Sequence, residues 1–249
     1  MSRFLALAVA VLGSVQEDAA LREALRGYVH PWSGFLPGSR LVINETTKAS
    51  AYDSSRNATV FKEKTVQYVW TVRSVSEERA TIRIEGGGQE GDITVYLARP
   101  GIFRGKAEPR GEAEIAVGER RYRCSAVAIV LDADKEAGQV TTIWRCPEAP
   151  SWAVRVLVET FIRGKRNTWE EELLVEADRK LSIEGREVPC QVVQVTTGSE
   201  GGGRTVKKEW RSDAVPGRVA RREVRHYSGD REIEGASVKM EVVSFEARR

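Results

Sequence analysis

Histidine is nearly absent from this 249-residue chain, which has only His30 and His226. The two lie far apart, and neither has the serine or cysteine context of a nucleophile motif, so the sequence offers no acyl-transfer constellation. Cysteine is almost as scarce: there are three, with no Cys-x-x-Cys or His-x-x-x-His spacing, and a zinc site therefore lacks a ligand set. Asp132 and Asp134 lack the rest of a calcium loop and read as turn formers. Gly86-Gly87-Gly88 and Gly201-Gly202-Gly203 join strand-like runs with no helix following, which is the context of hairpin tips and not of phosphate loops. Charge of one sign is lacking as well. Thirty-nine basic residues against 36 acidic ones leave a net charge of +3, too balanced to supply the cationic field that nucleic acid requires. No catalytic residue, metal ligand or cofactor is assigned, and no carboxylate pair can be singled out among so many.

An apolar run is present at the N-terminus. Phe4 to Gly13 is uncharged and follows Met1-Ser2-Arg3. A basic start and about ten apolar residues are the pattern of a signal peptide, and the run is too short to span a bilayer as a helix. Gly13 and Ser14 allow cleavage between Gly13 and Gln16, with no cysteine nearby for lipid attachment. The expected division is a signal peptide over 1–16, a helix and connector over 17–38, and an antiparallel β domain over 39–249. The product is then extracytoplasmic, periplasmic or secreted, with no transmembrane segment in the mature chain. Its cysteines would meet an oxidising compartment, where two can pair.

From Glu17 to Val29, Ala20, Leu21, Ala24, Leu25 and Tyr28 recur at helical spacing behind the early acids Glu17 and Asp18, which predicts one amphipathic helix. Pro31, Gly34, Pro37 and Gly38 then end it in a connector that carries Trp32 and Phe35. Beyond Arg40 the pattern changes to β-branched runs punctuated by Gly, Asp, Asn and Pro. Thirteen strands are expected, the first over 40–47 and the last over 236–246. The run Glu170 to Ala177 is helical by propensity, but its β-rich flanks make it a strand.

The second half of the chain contains a duplication, about 117–161 and 183–227. One constant displacement lays Cys124 on Cys190, Val140 on Val206, Trp144 on Trp210, Arg145 on Arg211, Pro150 on Pro216, Arg155 on Arg221 and Val158 on Val224. Cys, Trp and Pro are uncommon enough for this spacing to mark a repeated unit. A turn centred on Lys135 makes the first copy a hairpin that pairs Ala126 with Trp144, Ala128 with Thr142 and Val130 with Val140. A turn at Gly201-Gly202-Gly203 pairs Val192 with Trp210 and Thr196 with Val206 in the second. The same register sets Cys124 opposite Cys146 at roughly 4.5 Å between Cα atoms, which makes these two a disulfide candidate and leaves Cys190 free. The opposite face of the first hairpin is also apolar, through Val127, Ile129, Leu131 and Ile143, whereas the second copy has Lys207 and Glu209 there. The first face therefore needs cover, from the N-terminal helix or from the Trp32 to Leu36 connector.

Arg218, Arg221, Arg222 and Arg225 concentrate charge on one strand, together with His226. The pattern suits an edge strand that resists unwanted pairing.

His30-Pro31-Trp32, Phe35 and Pro37-Gly38-Ser39 near the start, Gly185 with Cys190, and Trp210, Ser212, Val215, Pro216, Gly217 and Val219 form an ordered set of motifs. This set resembles uncharacterised exported bacterial proteins rich in β structure. More distantly, a helix beside one continuous antiparallel sheet is similar in architecture to the half-barrels of periplasmic lipoprotein carriers. The expectation is a mainly β fold, a large curved, half-barrel-like antiparallel sheet with one N-terminal amphipathic helix packed on it. The expected function is non-enzymatic, an extracytoplasmic binding or envelope-associated scaffold protein. A lipid or lipoprotein carrier with an apolar groove is the alternative, with lipid, lipoprotein or another envelope component as partner and Trp70, Trp144 and Trp210 as candidate ligand-binding residues. A carboxylate-based hydrolase is the competing enzyme class.

Overall fold

The computed structural model describes residues 25–26, 28, 30–97, 105–132 and 137–249. The signal peptide expected over 1–16 lies outside these residues, as does the helix expected from Glu17 except for Leu25, Arg26 and Tyr28.

Thirteen strands form one antiparallel sheet. β1 (Arg40–Asp53), β2 (Ala58–Val75), β3 (Arg79–Gly86) and β4 (Gln89–Tyr96) run outward from the interior of the sheet to one edge. β5 (Lys106–Val117) starts again at the opposite edge. From there β6 (Arg120–Asp132), β7 (Ala137–Arg145), β8 (Arg155–Ile162), β9 (Lys165–Ile183), β10 (Arg186–Ser199), β11 (Gly203–Arg211), β12 (Val219–Ser228) and β13 (Arg231–Glu246) return in order, and β13 pairs with β1. β4 and β5 do not pair, so the sheet is open.

Local sequence explains the tight connections. Arg163-Gly164 and Glu184-Gly185 each join two strands with positive φ at both residues (50° and 74°, 51° and 74°), the two-residue turn whose twist matches that of its strands. Pairing on both sides decides the ambiguous acidic run: Glu170 to Ala177 lies in β9, between β8 and β10, where ladder bonds override helix propensity.

Chain connectivity requires the sheet to curl. Thirteen flat strands would set β4 and β5 about 58 Å apart, yet the chain from Leu97 to Gly105 can reach only about 30 Å. The packing agrees, because Ile82 of β3 and Val188 of β10 share one core although six strand spacings separate them in the sheet. The inward face carries Leu41, Ile43, Val72, Ile82, Met240 and Val242, all buried.

Both repeated hairpins have the register read from the sequence. Ala126 pairs with Trp144 and Val130 with Val140, while Val192 pairs with Trp210 and Thr196 with Val206. The equivalence extends to detail. Cys124 Sγ donates to the Tyr122 carbonyl (3.5 Å) and Cys190 Sγ to the Val188 carbonyl (3.4 Å). After the hairpins, the Ala149 amide donates to the Cys146 carbonyl and the Val215 amide to the Ser212 carbonyl.

The disulfide is a correction. Cys124, Cys146 and Cys190 are all free, buried thiols. The β6–β7 ladder stops at Ser125 and Arg145, and the chain turns at Cys146, so the register no longer holds the two cysteines face to face. Cys124 and Cys146 remain in one core with Tyr122, Val154 and Leu174.

Candidate functional site

An open cavity of about 1040 Å³ occupies the concave face. One wall is apolar, with Leu41, Ile43, Trp70, Val95 and Met240, and Val156 and Val158 line the other side. These residues fall on one face by strand alternation: Leu41 pairs with Trp70, and Ile43 with Tyr68 on one side and Val242 on the other.

The floor is ionic. Arg211 donates to both carboxylate oxygens of Glu172, at 2.7 and 2.9 Å, and through Nε to Glu209 at 2.8 Å. Glu209 also accepts from Nε of Arg222 at 2.7 Å. The result is a row of alternating charge from β9 over β10 to β12. Burial alone would push the Glu209 carboxyl up, but Arg211 and Arg222 outweigh it and hold the group below the ordinary carboxylate range. Arg211 feels the opposite pull: burial lowers its pKa, while Glu172 and Glu209 more than reverse this. A general acid for glycoside hydrolysis needs a raised carboxyl, and Glu209 has the reverse.

Comparison of the two copies explains why the floor is charged here. Glu209 and Arg222 occupy the positions of Ile143 and Val156 in the first copy. There Ile143 and Val156 pack with Ile129, Ala107 and Leu25, with Tyr28 and Val127 alongside. The N-terminal segment thus covers the apolar face that needed cover, and the charged equivalent faces the cavity.

One end of the cavity is built where two segments remote in sequence meet. Trp32 of the connector stacks on Trp70, centroids 6.0 Å apart and planes at 23°, and lies against Gly217 so closely that an added Cβ would meet the indole at 2.6 Å. The motif segments His30–Ser39 and Trp210–Val219, remote in sequence, therefore meet. His30 lines the same end, and burial, with Arg218 assisting, lowers its pKa. Its Nδ1 accepts from the Trp32 amide at 3.3 Å. The Trp70 indole N–H is buried without a hydrogen-bond acceptor among the described residues.

Of the three tryptophans expected to bind a ligand, only Trp70 lines the cavity. Trp144 and Trp210 do not line it: Trp210 is buried in the core that also holds Leu41, Ile43 and Met240, and Trp144 packs against the core of Cys124, Cys146 and Leu174. Each is covered by the arginine paired with it across the ladder: Arg155 lies 4.5 Å from the Trp144 ring and Arg221 4.7 Å from that of Trp210. Their place is in this duplicated cation–π packing. The arginine-rich strand is a further correction. β12 lies inside the sheet between β11 and β13, not at an edge, because the chain brings β13 back to β1. Its arginines meet acids instead: Arg222 pairs with Glu209, Arg221 with Glu223 and Glu241, and Arg225 with Glu232. His226 is half-buried there, its Nδ1 3.1 Å from Thr205 Oγ1.

Sequence reading passed over Glu172 and Arg211. The contrast of Lys207 and Glu209 with the apolar first copy was the available signal, but the partner on β9 is visible only in the folded sheet. No group of three or more metal-ligating side chains occurs among the described residues, and none of their helices is long and apolar enough to cross a membrane. Comparison with protein-family models, with curated proteins and with solved structures found no match.

Proposed function

We propose that this chain is a non-enzymatic extracytoplasmic binding protein whose concave trough takes the apolar part of an amphipathic envelope ligand, a lipid or the acyl chains of a lipoprotein. The observation that carries this reading is the open cavity of about 1040 Å³ with aliphatic and indole walls along a curved sheet, at the upper end of the sizes that hold small ligands. The paired ionic floor would meet a polar group, and the walls the chains. In this reading the sheet is a half-barrel and Leu25 and Tyr28 end an amphipathic helix lying on its first hairpin. Export rests on the Phe4 to Gly13 run. The hydrolase reading draws no support from Glu172 and Glu209, since each carboxylate is engaged by arginine.

Native mass spectrometry of protein purified gently from its own envelope tests the proposal. The expected result is a retained mass, lost on denaturation and identified as a lipid or acylated protein. Bare protein, together with failure of fatty acids to displace an apolar fluorophore, would overturn it. Leu41→Arg, which introduces a charge into the apolar wall, is expected to abolish fluorophore binding.

A further inference from the structure

Among the described residues no strand pairs with the outer side of β4 or β5, and these two edges differ in their protection. On β5 the ladder is broken by a bulge between Pro109 and Gly111, Pro109 has no amide hydrogen, and Lys106, Glu108, Arg110, Glu112 and Glu114 line the strand. These features discourage a further strand from pairing. β4 has neither bulge nor proline, and its only charges are two acids, Glu90 and Asp92. Its eight residues pair with β3 in unbroken register from Arg79↔Tyr96 to Gly86↔Gln89, and it contains no proline, lysine or arginine. Apart from Val95 its side chains are exposed, Ile93 to 40% and Tyr96 to 70%. Its two acids are already matched, since Arg83 of β3 pairs with both Glu90 and Asp92. A regular, exposed edge with neither bulge nor proline, whose charges are already paired within the sheet, is a template for strand addition.

We propose that β4 is a self-association edge, on which β4 of a second copy pairs antiparallel about a two-fold axis through Ile93. In that register Ile93 faces Ile93 of the second copy, Gly91 faces Val95, Asp92 faces Thr94 and Glu90 faces Tyr96. No like charges are opposed. Moving the axis to Asp92 would set Asp92 against Asp92, which is unfavourable, and moving it to Thr94 would exchange the Ile93–Ile93 contact for a polar Thr94–Thr94 pair at the axis. Ile93 pairs with the buried Ile82 and so lies on the concave side of the sheet. The two-fold axis is perpendicular to the sheet, so both troughs open on the same side. The interface is isologous and closed.

Light scattering after size exclusion and native mass spectrometry of the full chain test this. The expected mass is twice that of the chain, and Ile93→Lys, which opposes two ammonium groups across the axis at an exposed site, is expected to lose the dimer with an unchanged circular dichroism spectrum. Under mild oxidation Ile93→Cys is expected to give a covalent dimer, since facing residues of antiparallel strands lie within disulfide reach. Thr94→Cys, facing Asp92, is expected to give none. A monomeric native chain, a dimer that survives Ile93→Lys, or equal crosslinking at both positions would overturn the proposal.

Discussion

Arg211 of β11 reaches over β10 to hold both carboxylate oxygens of Glu172 on β9, at 2.7 and 2.9 Å. The same guanidinium binds Glu209, whose side chain is only 7% exposed. Glu209 is the most deeply buried member of the row, and its removal takes one of two carboxylates from Arg211 and the paired carboxylate from Arg222.

Glu209→Gln is accordingly expected to destabilise the fold by about 3 kcal/mol, measured by urea denaturation at neutral pH. Glu209 has a folded pKa below its unfolded value, so its contribution is fully present above the ordinary carboxylate range and is lost as pH falls through the lowered folded value. The native chain should therefore lose stability on acidification more steeply than the Gln variant. Parallel acid profiles of the two proteins would contradict the assignment.

The duplicated cation–π pairs should behave alike. Arg155→Met and Arg221→Met are each expected to cost about 0.5–1 kcal/mol through loss of the guanidinium over Trp144 and Trp210. Double-mutant cycles with the tryptophans replaced by leucine give the coupling directly. Coupling in one copy and none in the other would break the equivalence.

Two glycines with nearly equal φ should respond differently to alanine. At Gly164, φ is +74° and an added Cβ would touch nothing, so Gly164→Ala costs only backbone strain, about 1 kcal/mol. Gly217 has φ of +72° and the Trp32 indole in the way, so Gly217→Ala adds a clash, for about 2–4 kcal/mol in all. Thermal denaturation measures the difference, and altered tryptophan emission from the Trp32–Trp70 stack should accompany the Gly217 change alone.

Burial pushes the thiols of Cys124 and Cys190 up to about 11, with Cys146 adding to the shift at Cys124. At pH 8 about a thousandth of either is thiolate, against about a quarter of an ordinary thiol. Native protein should react negligibly with iodoacetamide at these two positions, and unfolding should release three thiols. Recovery of one thiol instead of three would mean that a disulfide forms after all.

Several features of the fold were legible locally. β-branched runs and the glycines between them mark the strands, and the spacing of Cys124, Trp144 and Pro150 against Cys190, Trp210 and Pro216 fixed the register of both hairpins, because antiparallel pairing follows from the position of a turn. The limits of that reasoning lie at strand ends. Cys146 lies one residue beyond a ladder that stops at Arg145, and charge pattern alone does not distinguish an edge from an ion-paired interior strand, which is what β12 with Arg221, Arg222 and Arg225 is.

What the sequence determined by itself is therefore whatever depends on near neighbours: strand, turn, hairpin register, and the contrast between an apolar first copy and a charged second. The tertiary structure alone decided which strands lie between which, that the sheet curls, and that Trp70 lines the trough while Trp144 and Trp210 pack into the cores beside it. It also brought Glu172 to Arg211 and Trp32 to Gly217. Glu172 meets Arg211 because β9, β10 and β11 lie side by side, whereas Trp32 reaches Gly217 only because β13 pairs with β1 and the sheet curls.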